Sequence, residues 1–127
     1  MNKVFVAGVG MCKFSKPSEG TSYTEMGKVA VQAALDDAGI EYNAVQQAYA
    51  SYLYGDTCSG QRVLYEVGMT GIPVFNLNNA CASGSSGLFL ARQAVQSGAV
   101  DCALAVGFEQ MRPGALGTTW DDRDSPW

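Results

Sequence analysis

Apolar residues in this chain fall into short unbroken runs that alternate with stretches where they recur every three or four positions. Val4-Phe5-Val6-Ala7-Gly8-Val9 is a continuous β-rich run, the pattern of a strand buried on both faces of a parallel sheet. Lys13 to Ser22 is polar and carries Pro17 and Gly20; it predicts a loop, with Thr24 as the N-cap of a helix. In that helix Met26, Val29, Ala30, Ala33 and Ala34 keep helical spacing, and Gly39 is its terminator. Gln46 to Tyr54 is aromatic-rich and bounded by Gly55-Asp56, so its later part predicts a second strand. Gln61 to Val67 reads as a short amphipathic helix, broken by Gly68 and Gly71-Ile72-Pro73, and Val74 to Leu77 follows as a third strand. Leu88, Phe89, Ala91, Ala94 and Val95 mark a helix from Ser85 to Gln96 that Gly98 closes, and Cys102 to Gly107 is a fourth apolar run.

Four strands alternating with three helices through short loops predict an α/β fold, a mostly parallel doubly wound sheet with helices on both faces. After Met111 the pattern stops. Pro113, Gly114 and Gly117 precede Trp120 and an acidic end closing on Trp127, so the expected division is a βα domain over residues 1–111 and a loop region or tail over 112–127. Large aromatics in such a tail point to a segment folded over an apolar surface, or to the start of something longer.

Composition narrows the function classes. The length of 127 residues suits one domain. A net charge of −4 with eight Lys plus Arg argues against nucleic acid and against an anionic membrane surface, which both need clustered cations. No apolar segment reaches the ~20 residues that span a bilayer, and Met1-Asn2-Lys3 does not open a signal-peptide plan. Cys12, Cys58, Cys81 and Cys102 are scattered, with no C-x-x-C pair and no histidine in the chain, so no metal site is expected. Without a secretory signal such thiols are either small buried hydrophobes or reactive groups.

Cys81 has the most informative setting. It lies in Asn78-Asn79-Ala80-Cys81-Ala82-Ser83-Gly84, between a predicted strand and a predicted helix. Open α/β sheets bind ligands at the carboxyl ends of strands, and the positive end of a helix favours a thiolate. The small residues after it let a substrate approach the backbone, following the logic of a nucleophile elbow with sulfur in place of oxygen. Against this stands the bland reading of a buried structural thiol. Cys12 and Cys58 read as surface or interface thiols, and Cys102 as core. Ser83, Ser85 and Ser86 fit helix-start capping better than hydrolase chemistry, since there is no Gly-x-Ser-x-Gly and no histidine. Gly8-Val9-Gly10 lacks the third glycine of a dinucleotide loop, because Lys13 stands there. Glu109 is either a catalytic carboxylate facing the same crevice or a strand-end acceptor for a loop.

The ordered set Val6-Ala7-Gly8-Val9-Gly10-Met11, Tyr54-Gly55-Asp56 with Gly60-Gln61-Arg62, Gly68-Met69-Thr70-Gly71-Ile72-Pro73, the Cys81 turn, and Gly107-Phe108-Glu109-Gln110-Met111 resembles the thiolases, most closely the sterol-carrier-protein type. The resemblance is to the N-terminal part only. It implies a layered αβα thiolase-like fold and Claisen-type acyl transfer on 3-ketoacyl-CoA through a Cys81 acyl-enzyme, with the Cys81 N–H contributing to an oxyanion hole. Coenzyme A would be a substrate, with no permanently bound cofactor. The family's histidines and second cysteine lie on a C-terminal domain and have no counterpart here, so the chain alone is expected to be inactive. The resemblance further implies a homodimer through the third strand (Phe75, Asn76, Leu77, Asn78) or a complementary polypeptide, and a peroxisomal location in a eukaryote or a cytoplasmic one in a bacterium. The alternatives are a retro-aldol lyase on steroid-derived acyl-CoA and a non-catalytic module binding acyl-CoA or protein.

Overall fold

The computed structural model describes residues 2–111 and 122–124. Three helices, α1 (Tyr23–Ala38), α2 (Ser59–Leu64) and α3 (Ser83–Ser97), and three strands, β1 (Gln47–Ser51), β2 (Val74–Leu77) and β3 (Ala103–Gly107), are joined by loops and two short 3-10 turns. Among the described residues the sheet has the order β2-β1-β3, and both pairings are parallel. Tyr49 in the central strand lies across from Phe75 on one side and Ala105 on the other.

The alternation of side chains along β1 divides the core in two. Ala48, Ala50 and Tyr52 join Val31 and Leu35 of α1, Val63 and Leu64 of α2, and Val106 and Phe108. On the opposite face Tyr49 packs with Ala91 and Ala94 of α3 and with Val100. Helices therefore cover both faces, as the βα alternation predicts. Tyr52 stacks on Phe108 with ring centres 5.2 Å apart, and Phe108 stacks on Tyr23 at 5.5 Å. The three rings fasten the carboxyl end of the sheet to the start of α1.

The predicted first strand is the main correction. Val4 to Val9 forms no strand, and Phe5, Val6 and Val9 are 80%, 75% and 68% exposed. An apolar run becomes a strand only when another backbone takes up its N–H and C=O groups, and no described strand pairs with it. The segment is held by other means. The Asn2 N–H donates to the Gln96 carbonyl, and the Val9 N–H donates to the Asp37 carboxylate at 2.8 Å. Gly8 and Gly10 lie so close to α1 that a Cβ on Gly8 would collide with Ala34 and Ala38, and one on Gly10 with Ala30 and Ala34. That is the work of the two glycines, and it leaves nothing for a dinucleotide reading to explain.

Smaller differences concern element ends. Helix α1 starts two residues earlier than Thr24 predicts, because the Ser22 hydroxyl accepts the Glu25 N–H and acts as the cap. The second strand occupies the earlier part of its aromatic segment. It ends at Ser51 because the Glu109 carboxylate, not a neighbouring strand, takes the N–H groups of Leu53 (2.7 Å) and Tyr54 (3.3 Å). Helix α2 covers Ser59–Leu64 instead of Gln61 to Val67. The expected tail, 112–127 with Trp120 and Trp127, falls largely outside the described residues.

Candidate functional site

β2 delivers the chain to the carboxyl edge of the sheet, where residues 78–82 turn back into α3. The turn is tight. Ala80 has a left-handed backbone, φ 47°, a conformation that costs a residue with a Cβ about 1 kcal/mol or more. Surrounding bonds hold it there. The Asn78 Oδ1 accepts the Ala80 N–H at 3.1 Å, and the Asn79 N–H donates to the Ser83 Oγ at 2.7 Å. Ser83 in turn donates to the Ala80 carbonyl at 2.7 Å, while Ser86 donates to the Ala82 carbonyl and accepts from the Asn79 amide, both at 3.0 Å. Ser83 is buried. Ser83 and Ser86 thus hold the turn together, which accounts for both as structural hydroxyls, while Ser85 is exposed.

Cys81 sits on this frame and is exposed. The nominal helix cap is Ala82, which has no side-chain acceptor to offer, so no side chain caps the start of α3. Gly84, in the first turn of α3, has open space where a Cβ would be. A substrate can therefore approach the thiol and the adjoining backbone from outside. What the geometry permits is nucleophilic attack on an electrophilic carbonyl, with the small residues Ala80 and Ala82 on either side of Cys81 in the chain.

The other predicted residues separate cleanly. Cys58 is exposed, and its own backbone is left-handed, φ 60°, at the start of α2. Cys12 is half-buried. Cys102 is half-buried against the core just before β3, and burial pushes its thiol up from the ordinary value of 9.0. Glu109 is committed to backbone, since it also accepts the Gln110 N–H at 3.2 Å. It is a loop-holding carboxylate, the second of the two readings the sequence allowed. Among the described residues no group of three potential metal ligands converges.

A depression of about 290 Å³ lies at the same edge of the sheet, lined by Tyr23, Tyr54-Gly55-Asp56 and Phe108 to Met111. It is tied to the cysteine turn through Leu53, whose carbonyl receives the Asn78 amide at 3.4 Å and whose N–H goes to Glu109. Sequence reasoning missed Asn76. Its Oδ1 accepts from the Gly60 N–H at 2.8 Å and the Tyr52 hydroxyl at 3.1 Å, and its amide donates to the Gln61 Oε1 at 2.7 Å. Its signal in the sequence was a polar residue in the middle of an otherwise apolar strand.

Comparison with known proteins gives the family. The family described as thiolase, N-terminal domain, matches residues 4–122. Non-specific lipid-transfer protein-like 2 of Caenorhabditis elegans is 59% identical over 116 residues, covering 90% of this chain and 28% of that protein. Sterol carrier protein 2 of Gallus gallus is 53% identical over 126 residues, covering 98% and 23%. The chain spans about a quarter of the length of these relatives. The crystal structure of the priming β-ketosynthase from the R1128 polyketide pathway superposes with a TM-score of 0.66 at 22% identity, over 84% of this chain and 41% of that one, a likeness of fold. The chain belongs to the thiolase family.

Proposed function

We propose that this chain is the cysteine-bearing part of a 3-ketoacyl-CoA thiolase and that Cys81 is its nucleophile. The observation that carries the reading is the exposed Cys81 on a braced turn between β2 and α3. In the proposed reaction the Cys81 thiolate adds to the 3-keto carbon of a 3-ketoacyl-CoA. The C2–C3 bond then breaks, its electron pair leaves with C2, and that carbon is protonated to give acetyl-CoA or propionyl-CoA. The acyl group stays on sulfur until a coenzyme A thiol attacks it, loses its proton and regenerates the cysteine. In this second half-reaction one thioester is exchanged for another, so it runs in both directions.

The chain contains no histidine, and the base that takes the coenzyme A proton and supplies one to C2 is proposed to come from elsewhere. Since the chain spans about a quarter of its relatives, that base is proposed to lie on polypeptide beyond these residues. Self-association through β2 belongs to the same reading. Phe75 is 44% exposed and stacks on Tyr49 at 5.1 Å, and among the described residues no strand pairs with the outer edge of β2. A single sedimenting monomer at high concentration would remove this part. Among the described residues no helix is long and apolar enough to cross a membrane; a peroxisomal location is proposed for a eukaryotic source.

The test is transfer of an acetyl group from acetyl-CoA, read by mass spectrometry of the intact chain and its peptides. Acetylation at Cys81, lost in Cys81→Ser, is the expected result, together with no thiolysis of acetoacetyl-CoA by the 127 residues alone. Acetylation spread evenly over the four cysteines would overturn the assignment. The missing histidine also favours a second reading, a module that binds acyl-CoA or lipid without turnover. The names of the two relatives, a lipid-transfer protein and a sterol carrier, lend it support. It predicts saturable binding of acyl-CoA with no adduct at Cys81.

A further inference from the structure

Helix α2 has six residues, and its cap is Cys58, whose side chain accepts no backbone N–H. A helix so short does not hold itself. The bond a capping side chain would make, from the N–H of the second helical residue, is made here from another element: Asn76, in the middle of β2, accepts the Gly60 N–H. Both acceptor sites of its oxygen are occupied, the second by the Tyr52 hydroxyl, and its nitrogen donates to Gln61. Gly60 lies flush on this amide, since a Cβ there would come within 2.6 Å of the Asn76 oxygen.

Two positions along, just past the end of β2, Asn78 reaches the Leu53 carbonyl and the Ala80 N–H. One strand therefore grips the β1–α2 connection at both ends, at Tyr52 and Leu53 and again at Gly60, and carries the Cys81 turn as well. Tyr54, Gly55 and Asp56, which line the depression at the carboxyl edge, hang between these grips.

We propose that Asn76 is a positioning residue for the thioester site: by capping α2 from β2 it sets the distance between the Tyr54–Asp56 wall and the Cys81 turn. This rests on Cys81 being the nucleophile. Its effect falls on how well the thioester is held, not on the reactivity of the sulfur.

The experiment compares Asn76→Leu, which keeps the volume and loses the acceptors, with Asn76→Asp. The latter keeps both acceptors and lets the Gln61 amide turn to donate. Three quantities are read on each protein: the rate of Cys81 alkylation by iodoacetamide, the acetyl-CoA concentration that half-saturates Cys81 acetylation, and amide exchange at Gly60. In Asn76→Leu the half-saturating concentration is expected to rise about tenfold while the limiting rate and the alkylation rate stay within about twofold. Gly60 exchange is expected to accelerate by about tenfold or more. Asn76→Asp should restore both the half-saturating concentration and the Gly60 exchange. Unchanged half-saturation in Asn76→Leu overturns the proposal, and so does a fall in alkylation equal to the fall in acetylation, which would mark a general loss of structure. If the unaltered chain is not acetylated at Cys81, the nucleophile reading fails and the positioning role fails with it, while Gly60 exchange still reports whether Asn76 caps α2.

Discussion

Two turns in this molecule each carry a cysteine from the end of a strand to the start of a helix, and they are held in different ways. In the β1–α2 connection the left-handed residue is Cys58 itself; Asp56 accepts from Thr57 and Ser59 within the turn, and further support comes from outside, through Asn76 on β2 and Glu109 after β3. In the β2–α3 turn the left-handed residue is Ala80, one position before Cys81, and the bracing is local, from Asn78, Asn79, Ser83 and Ser86. A locally braced turn keeps its geometry whatever its distant neighbours do. An externally held one reports on them. The turn that carries the proposed nucleophile has the denser local bracing, with Asn78 also reaching outside it to the Leu53 carbonyl.

The sharpest way to break this contrast is chemical. Cys81 and Cys58 are both exposed, so accessibility alone predicts equal labelling. We expect iodoacetamide to modify Cys81 at least about tenfold faster than Cys58 near neutral pH; equal rates would reduce both turns to surface loops. Next in size is Gly60→Ala, which forces a Cβ onto Ala50 and the Asn76 oxygen. It should destabilise the fold by about 3 kcal/mol, the upper end for overpacking, seen as a lower urea midpoint. Ser83→Ala tests the local bracing. Losing a buried hydroxyl that both donates and accepts at 2.7 Å should cost about 2 kcal/mol, with Cys81 labelling altered and Cys58 labelling unchanged. Gly84→Ala meets open space and should raise stability by about 0.5–1 kcal/mol through helix propensity, while hindering thioesters at Cys81.

The smallest effect is a pH dependence on the β1 side. Burial raises the Tyr52 phenol above its ordinary 10.0, so the folded state favours the neutral ring. The stability this contributes is fully present below pH 10.0 and is lost as pH climbs through the raised value. Melting temperatures should therefore fall in alkali, and Tyr52→Phe should start lower, having lost its bond to Asn76, but decline less steeply.

Legibility in the sequence followed how local each determinant was. The bounds of β2 and the helix ends at Gly39 and Gly98 were readable, because strand runs and left-handed glycine caps are written in adjacent residues. Cys81 stood out because a strand, a turn and a helix met around it within a few positions. Val4 to Val9 misled, since its composition suits a strand but pairing depends on a backbone elsewhere. Asn76 was unreadable in its role for the same reason, and Glu109 could be read as a loop acceptor but not matched to its loop: their partners lie 16 and 56 residues away. Neither spacing leaves a periodic trace.

The glycine pair beneath the amino-terminal segment has a further consequence. Gly8 meets Ala34 and Ala38, and Gly10 meets Ala30 and Ala34, so the segment runs antiparallel to α1. Two residues of extended chain advance about 6.6 Å and four residues of helix about 6.0 Å. The two repeats are nearly commensurate, like the scales of a vernier, and only one alignment places both glycines on the alanines. A slip by one residue would press Val9 into the helix instead. The amino-terminal segment is thus kept in register by a length match between two kinds of secondary structure, with no strand beside it among the described residues.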